Sequence, residues 1–131
     1  MKKLIVFIFS IALFINGSSQ TQLEMNYELK KSYDNADEEL NAVYQAILKK
    51  YSSDTTFIKN LRISQRIWIK FRDAELSMKF PDRSNNRLYY GSVFPMCVSS
   101  YLKTLTESRI KTLRIWIDGA EEGDVCSGSL R

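Results

Sequence analysis

Apolar and small side chains recur at Leu29, Tyr33, Ala36, Leu40, Val43, Ile47 and Tyr51, in steps of three and four. A helix with 3.6 residues per turn collects that set on one side, whereas a strand, which changes side at every residue, scatters it. The spacing therefore predicts an amphipathic helix from Leu29 to Tyr51 with one buried stripe, which demands partner helices to cover it. Acids lie early in this segment (Asp34, Asp37, Glu38, Glu39) and bases late (Lys49, Lys50), in the sense that favours the helix dipole. Ser52, Ser53 and Asp54 break the pattern, and Asp54 or Ser53 is placed to cap a following helix.

The second predicted helix runs from about Thr55 to Met78 through Phe57, Leu61, Trp68, Phe71 and Glu75, and Pro81 closes it. Ile63, Ile67 and Ile69 lie around the helix from Leu61 and Trp68, so its middle is apolar on more than one side. Such a helix is either central and buried on several sides or the carrier of a partner surface; the expectation is the central position. Pro81 to Phe94 (PDRSNNRLYYGSVF) reads as the longest loop. A third helix starts near Pro95, uses Val98, Leu102, Leu105, Leu113 and Trp116, and ends before Gly119. The segment 119–131 is acidic, then rich in Gly and Ser, and reads as a loosely held tail. No internal repeat or linker is visible. The expected fold is all-α: a small antiparallel bundle of three main helices, with a long loop between the second and third.

Lys2 and Lys3, the apolar run Leu4 to Ile15, and the small residues Gly17, Ser18 and Ser19 read as a signal peptide over 1–19, cleaved after Ser19. The run is shorter than the roughly 20 residues that cross a bilayer, and no Cys follows it to carry a lipid. The expected product is a helical domain over 20–118, periplasmic or secreted, without a stable membrane anchor after cleavage. Removing Lys2 and Lys3 from 19 basic residues leaves 17 against 15 acids, a net charge of +2. Lys30, Lys31, Lys49, Lys50, Arg62, Arg66 and Lys70 are interspersed with acids and read as solvated helix faces, which argues against nucleic-acid binding.

The chain contains no histidine. Ser-His and Cys-His nucleophiles and His-based zinc sites are thereby removed, and no cofactor or metal is expected. Asp34, Asp37, Glu38, Asp73 and Glu75 offer carboxylate pairs by spacing, but a domain of this size leaves little room for the saccharide cleft that glycosidase carboxylates flank. The expectation is a non-enzyme. Gln65, Trp68 and Arg72 share one side of the second helix, with Asp73 adjacent. Gln65, Arg72, Asp73 and Arg109 are read as a structural polar network, pairing with Asp37, Asn41 or Glu24 to fix helix register. Trp68 and Trp116 are read as core. In the loop, Arg83, Arg87, Tyr89, Tyr90, Gly91 and Ser92 combine guanidinium, phenol and a flexible glycine, the composition of a partner-binding hot spot.

An exported chain with two cysteines, Cys97 and Cys126, invites one disulfide. A straight helix from residue 97 to 117 rises about 30 Å, and the steps from Ile117 to Cys126 span at most roughly 30 to 32 Å. The tail just reaches, so an intramolecular bond, a free thiol and an intermolecular pair all stay open.

Several short motifs occur in order: Met25-Asn26; Tyr33, Ala36-Asp37, Leu40-Asn41 and Tyr44; Gln65-Arg66, Trp68 and Phe71-Arg72-Asp73; Gly91-Ser92 and Pro95-Met96; Leu105-Thr106 and Arg109. Together, over Thr21 to Leu113, they resemble the lysozyme-inhibitor-like N-terminal domain, the LprI-type family. The resemblance implies a protein partner, lysozyme, whose cleft the loop would enter. It also implies cysteines near Glu28, Leu76 and Tyr101, where this chain has none, so stability must come from the helical core. A slightly basic chain is poorly suited to a cationic lysozyme unless a local patch such as Asp34, Asp37, Glu38 and Glu39 steers the encounter. The alternatives are a cell-envelope module binding glycan or another protein, and an assembly domain linked through Cys97 or Cys126.

Overall fold

The computed structural model describes residues 2–81 and 86–130, with side chains over 21–81 and 88–130. The elements are α1 (Lys2–Lys50), α2 (Thr55–Lys79), the short α3 (Asn86–Tyr90) and α4 (Phe94–Asp118), with no strand among the described residues. The all-α expectation holds. The first helix starts well before Leu29, its predicted beginning.

Contacts along the chain fix the topology. Near the start of α4, Asn26 donates from Nδ2 to the Ser92 carbonyl at 3.3 Å, while Lys50 donates from Nζ to the Ile117 carbonyl at 2.9 Å at its end. α1 and α4 therefore run side by side in the same direction. α2 returns between these ends: Phe57 stands beside Tyr51 and Trp116, Gln65 bonds Arg109, and Glu75 accepts from Tyr101. The result is an up-down-up bundle.

The α1 stripe is buried from Ala36 through Leu40, Val43, Ile47 and Tyr51. From Leu40 onward, with Leu61 of α2 and Ile110 and Leu113 of α4, it forms the larger core cluster, against which both tryptophans pack. Tyr51 is fully buried, stacked on Phe57 at 4.2 Å and edge-on to Trp116 at 6.2 Å. Rings packed this way add about 0.5–1.5 kcal/mol per pair beyond the area they bury. A smaller cluster of Leu76, Phe80 and Phe94 closes the opposite end, with Tyr90, Cys97, Val98, Tyr101 and Leu102 around it.

Helix ends follow local chemistry. Asp54 caps α2, its Oδ1 accepting from the Phe57 amide at 2.9 Å. α2 stops before Pro81, with the Phe80 amide bonded to the Leu76 carbonyl at 3.0 Å. α4 has proline in its first turn and ends at Gly119, whose φ of 91° suits a residue without a Cβ.

One expectation is corrected. α2 is not the central helix: it buries only Leu61 and Leu76 and leaves Ile63, Ile67, Ile69, Phe71 and Met78 exposed, while α1 and α4 make the most extensive interhelical contact. The stripe that covers α1 belongs to α4, where Ser99 and Thr106 join Ile110 and Leu113 in the buried set. Cys97 and Cys126 are separate thiols, the first partly buried in the smaller cluster and the second exposed. The reason is distance. Cys97 lies in the first turn of α4, the helix carries the chain roughly 30 Å away, and the turn from Glu121 to Asp124 shortens the reach of the segment that leads to Cys126.

Candidate functional site

The loop between α2 and α4 is built on an aromatic base. The Tyr90 ring stacks on Phe94 at 5.0 Å and 16°, and meets Phe80 edge-on at 5.5 Å and 87°. Phe80 and Phe94 are themselves edge to face at 5.3 Å. This base gives the five residues of α3 a fixed seat that a helix of that length lacks alone.

Gly91 turns the chain into α4 with φ of 75°, and its carbonyl accepts from the Phe94 amide at 3.3 Å. The Asn26–Ser92 bond holds this turn to α1. Gln22 supports it from the preceding turn, donating from Nε2 to Asn26 Oδ1 at 3.2 Å and to Met96 Sδ at 3.3 Å. Asn26, Ser92 and Met96, three residues of the short motifs, thus hold one joint between α1 and the loop.

On the outer side of this seat Tyr89 stands 72% exposed, edge-on to Tyr90 at 4.8 Å, beside Leu88 at 85%. Val93 is also exposed. The outcome is an apolar and aromatic knob on a braced base, the arrangement in which a side chain loses little entropy when a partner covers it.

The candidate loop residues thus separate by role. Tyr89, Gly91 and Ser92 are exposed at the knob, whereas Tyr90 is half-buried in the base. Arg83 lies outside the described residues, and Arg87 is placed in α3 by its backbone alone. Sequence reasoning missed Leu88 and Val93, although large apolar residues in a polar loop were a signal.

The polar set Gln65, Arg72, Asp73 and Arg109 forms two pieces, with different partners from those expected. Arg109 of α4 donates from Nε to Gln65 Oε1 and from a terminal nitrogen to Ser64 Oγ, both at 3.0 Å. Partial burial pushes the Arg109 guanidinium below its ordinary pKa. Arg72 instead grips its neighbour Asp73 at 2.8 and 3.0 Å and lies over the Trp68 ring at 5.5 Å. Asp37 and Asn41, expected across the interface, contact one another within α1 at 3.5 Å because their side faces away from the core. Arg109 with Gln65 and Ser64 thus ties α4 to α2 at one place, and Arg72 with Asp73 lies on the surface of α2 at another.

Three other carboxylates have partners across or along the bundle. Asp34 pairs with Lys30, Glu39 with Arg114 of α4, and Glu75 accepts from the Tyr101 hydroxyl at 2.9 Å. Asp37 and Glu38 carry no ion pair among the described residues, so half of the expected acidic patch of α1 stays uncompensated. No group of three or more metal-ligating side chains converges among the described residues. Nor is any helix among them long and apolar enough to cross a membrane.

The model of the family described as lysozyme inhibitor LprI matches residues 16–113, well over half of the 131 residues. The chain belongs to the lysozyme inhibitor LprI family. The match takes in most of α1, all of α2 and α3, and α4 as far as Leu113, so the LprI region contains both core clusters and the knob. Searches of curated proteins and of solved structures return no match. Near Leu76 and Tyr101, where the family resemblance implies cysteines, this LprI chain has a buried leucine and a tyrosine packed in one cluster.

Proposed function

We propose that this LprI-family chain is an exported, non-enzymatic binding protein that inhibits lysozyme by presenting the α3 knob to the enzyme's saccharide cleft. Residues 1–19 act as the signal peptide, 20–118 form the binding domain and 119–131 trail from it. The observation that carries the reading is Tyr89, exposed on a base that Tyr90, Phe80 and Phe94 hold rigid, within a chain whose family is that of a lysozyme inhibitor. Aromatic anchors of this kind dominate binding energy because they cover large area with few rotatable bonds. Asp37 and Glu38 supply a modest local negative field toward a cationic enzyme. Blocking the cleft needs no nucleophile, in keeping with a chain that has no histidine.

The test is clearing of a bacterial wall suspension by animal-type, goose-type and invertebrate-type lysozymes, titrated with the exported protein. Dose-dependent slowing with at least one class supports inhibition. No effect on any class, together with retention on purified wall polymer, would replace it with an envelope glycan-binding role.

A further inference from the structure

α2 has a second amphipathic side that the bundle does not use. Ile63, Ile67, Phe71 and Met78, with Ala74 between the last two, follow one another in steps of three and four on the side away from Leu61 and Leu76. Their exposures are 44, 61, 50 and 70%. The line rises about 22 Å along the helix at 1.5 Å per residue, a longer apolar exposure than scattered surface residues produce.

A line of cations runs beside it. Lys59, Arg62, Arg66 and Lys70 also follow steps of three and four, are all exposed, and make no ion pair among the described residues. The two acids of α2 are engaged elsewhere, Asp73 by Arg72 and Glu75 by Tyr101. Three of the four cations, Lys59, Arg62 and Arg66, line an open groove of about 440 Å³ with Ser52, Thr55 and Ile63. Cationic groups thus lie beside apolar ones along the same helix.

We propose that this side of α2 docks reversibly on an anionic phospholipid surface, the cations meeting headgroup phosphates and the isoleucines, Phe71 and Met78 entering the acyl boundary. Parallel apolar and Lys/Arg-rich lines on one helix suit a bilayer interface. The apolar line is the convex face of a helix, to which a fluid surface conforms. A second copy of the chain would set its own cations against these four, and a cationic lysozyme is repelled by them. The docking is therefore independent of the inhibitor reading, and it leaves the knob on a different element.

The test is vesicle flotation of the exported protein from Gln20 on phosphatidylcholine alone and on phosphatidylcholine with phosphatidylglycerol. Lys2, Lys3 and the apolar segment Leu4 to Ile15, which would themselves favour an anionic bilayer, are then absent, so the difference between the two compositions reads the charged side of α2. Binding to the anionic vesicles is expected to be roughly tenfold stronger or more, given about fivefold per cation near the surface, and to fall as salt shortens the screening length. Arg62→Glu with Arg66→Glu and Lys70→Glu, checked for unchanged helicity, is expected to erase the difference. Equal binding to both compositions, a difference insensitive to salt, or one that survives the charge reversal overturns the proposal. So does a dimer in sedimentation that Ile67→Asp dissociates, since the face would then belong to a second copy.

Discussion

Arg109 Nε of α4 donates to Gln65 Oε1 of α2 at 3.0 Å, across 44 residues of sequence, while its terminal nitrogen reaches Ser64. With α2 contributing only two buried side chains, Leu61 and Leu76, this fork is a principal polar tie between the outer helix and the α1–α4 pair. Gln65→Ala leaves a partly buried guanidinium without one acceptor and is expected to lower stability by about 1–2 kcal/mol. Arg109→Lys is expected to cost a similar amount, because an ammonium lacks the planar fork. Urea unfolding midpoints measure both.

The two sides of α2 predict opposite outcomes for the same type of change. Leu61 is buried in the larger cluster, so Leu61→Ala is expected to destabilise by about 2–4 kcal/mol. Ile67 is exposed, so Ile67→Ala is expected to stay within about 0.5 kcal/mol. Equal costs in thermal unfolding would contradict the placement of α2 at the edge of the bundle.

Thr106 is fully buried on α4, and its hydroxyl finds no hydrogen-bond partner among the described residues. An unsatisfied buried hydroxyl carries a desolvation cost with no compensating bond. Thr106→Val, nearly the same shape, is expected to raise stability by about 1 kcal/mol. A loss of stability in urea unfolding would mean that the hydroxyl is satisfied in solution.

The Tyr101 hydroxyl donates to Glu75, and that bond holds its pKa above the ordinary 10.0; burial raises Tyr33 in the same sense. A raised folded-state pKa stabilises while the phenol is protonated, and that stability is lost as pH rises through it. The contribution is therefore complete below pH 10 and fades above it. Tyr101→Phe is expected to flatten the fall in unfolding midpoint on the alkaline side of pH 10. An unchanged alkaline slope would argue against the bond.

Much of this was legible in the residues. The stripe from Ala36 to Tyr51, the Asp54 cap, the stop before Pro81 and the end at Gly119 all follow from local spacing and backbone chemistry. The place of α2 was not, because periodicity reveals that a helix has two apolar sides without saying which one a neighbour covers. The buried line of α4 was also obscured, since Ser99 and Thr106 read as polar although their small side chains fit the packed face. In the loop, composition pointed to Tyr89 and Tyr90 together; only the stacking on Phe94 separates the exposed anchor from its support.

That separation determines how the knob is tested. Replacing Tyr90 removes part of the aromatic base and is expected to cost about 2–3 kcal/mol, so lost activity in such a variant says little about contact with a partner. Tyr89→Ala removes the exposed ring alone. The decisive measurement is the concentration of exported protein that halves lysozyme clearing, for the wild-type chain and for Tyr89→Ala, with unfolding midpoints recorded alongside. The account predicts inhibition by the wild type and roughly a thirtyfold weaker effect for the variant, as for a 2 kcal/mol anchor, at an unchanged midpoint. A wild type inert toward every lysozyme class, or a Tyr89→Ala chain that inhibits equally well, would contradict it.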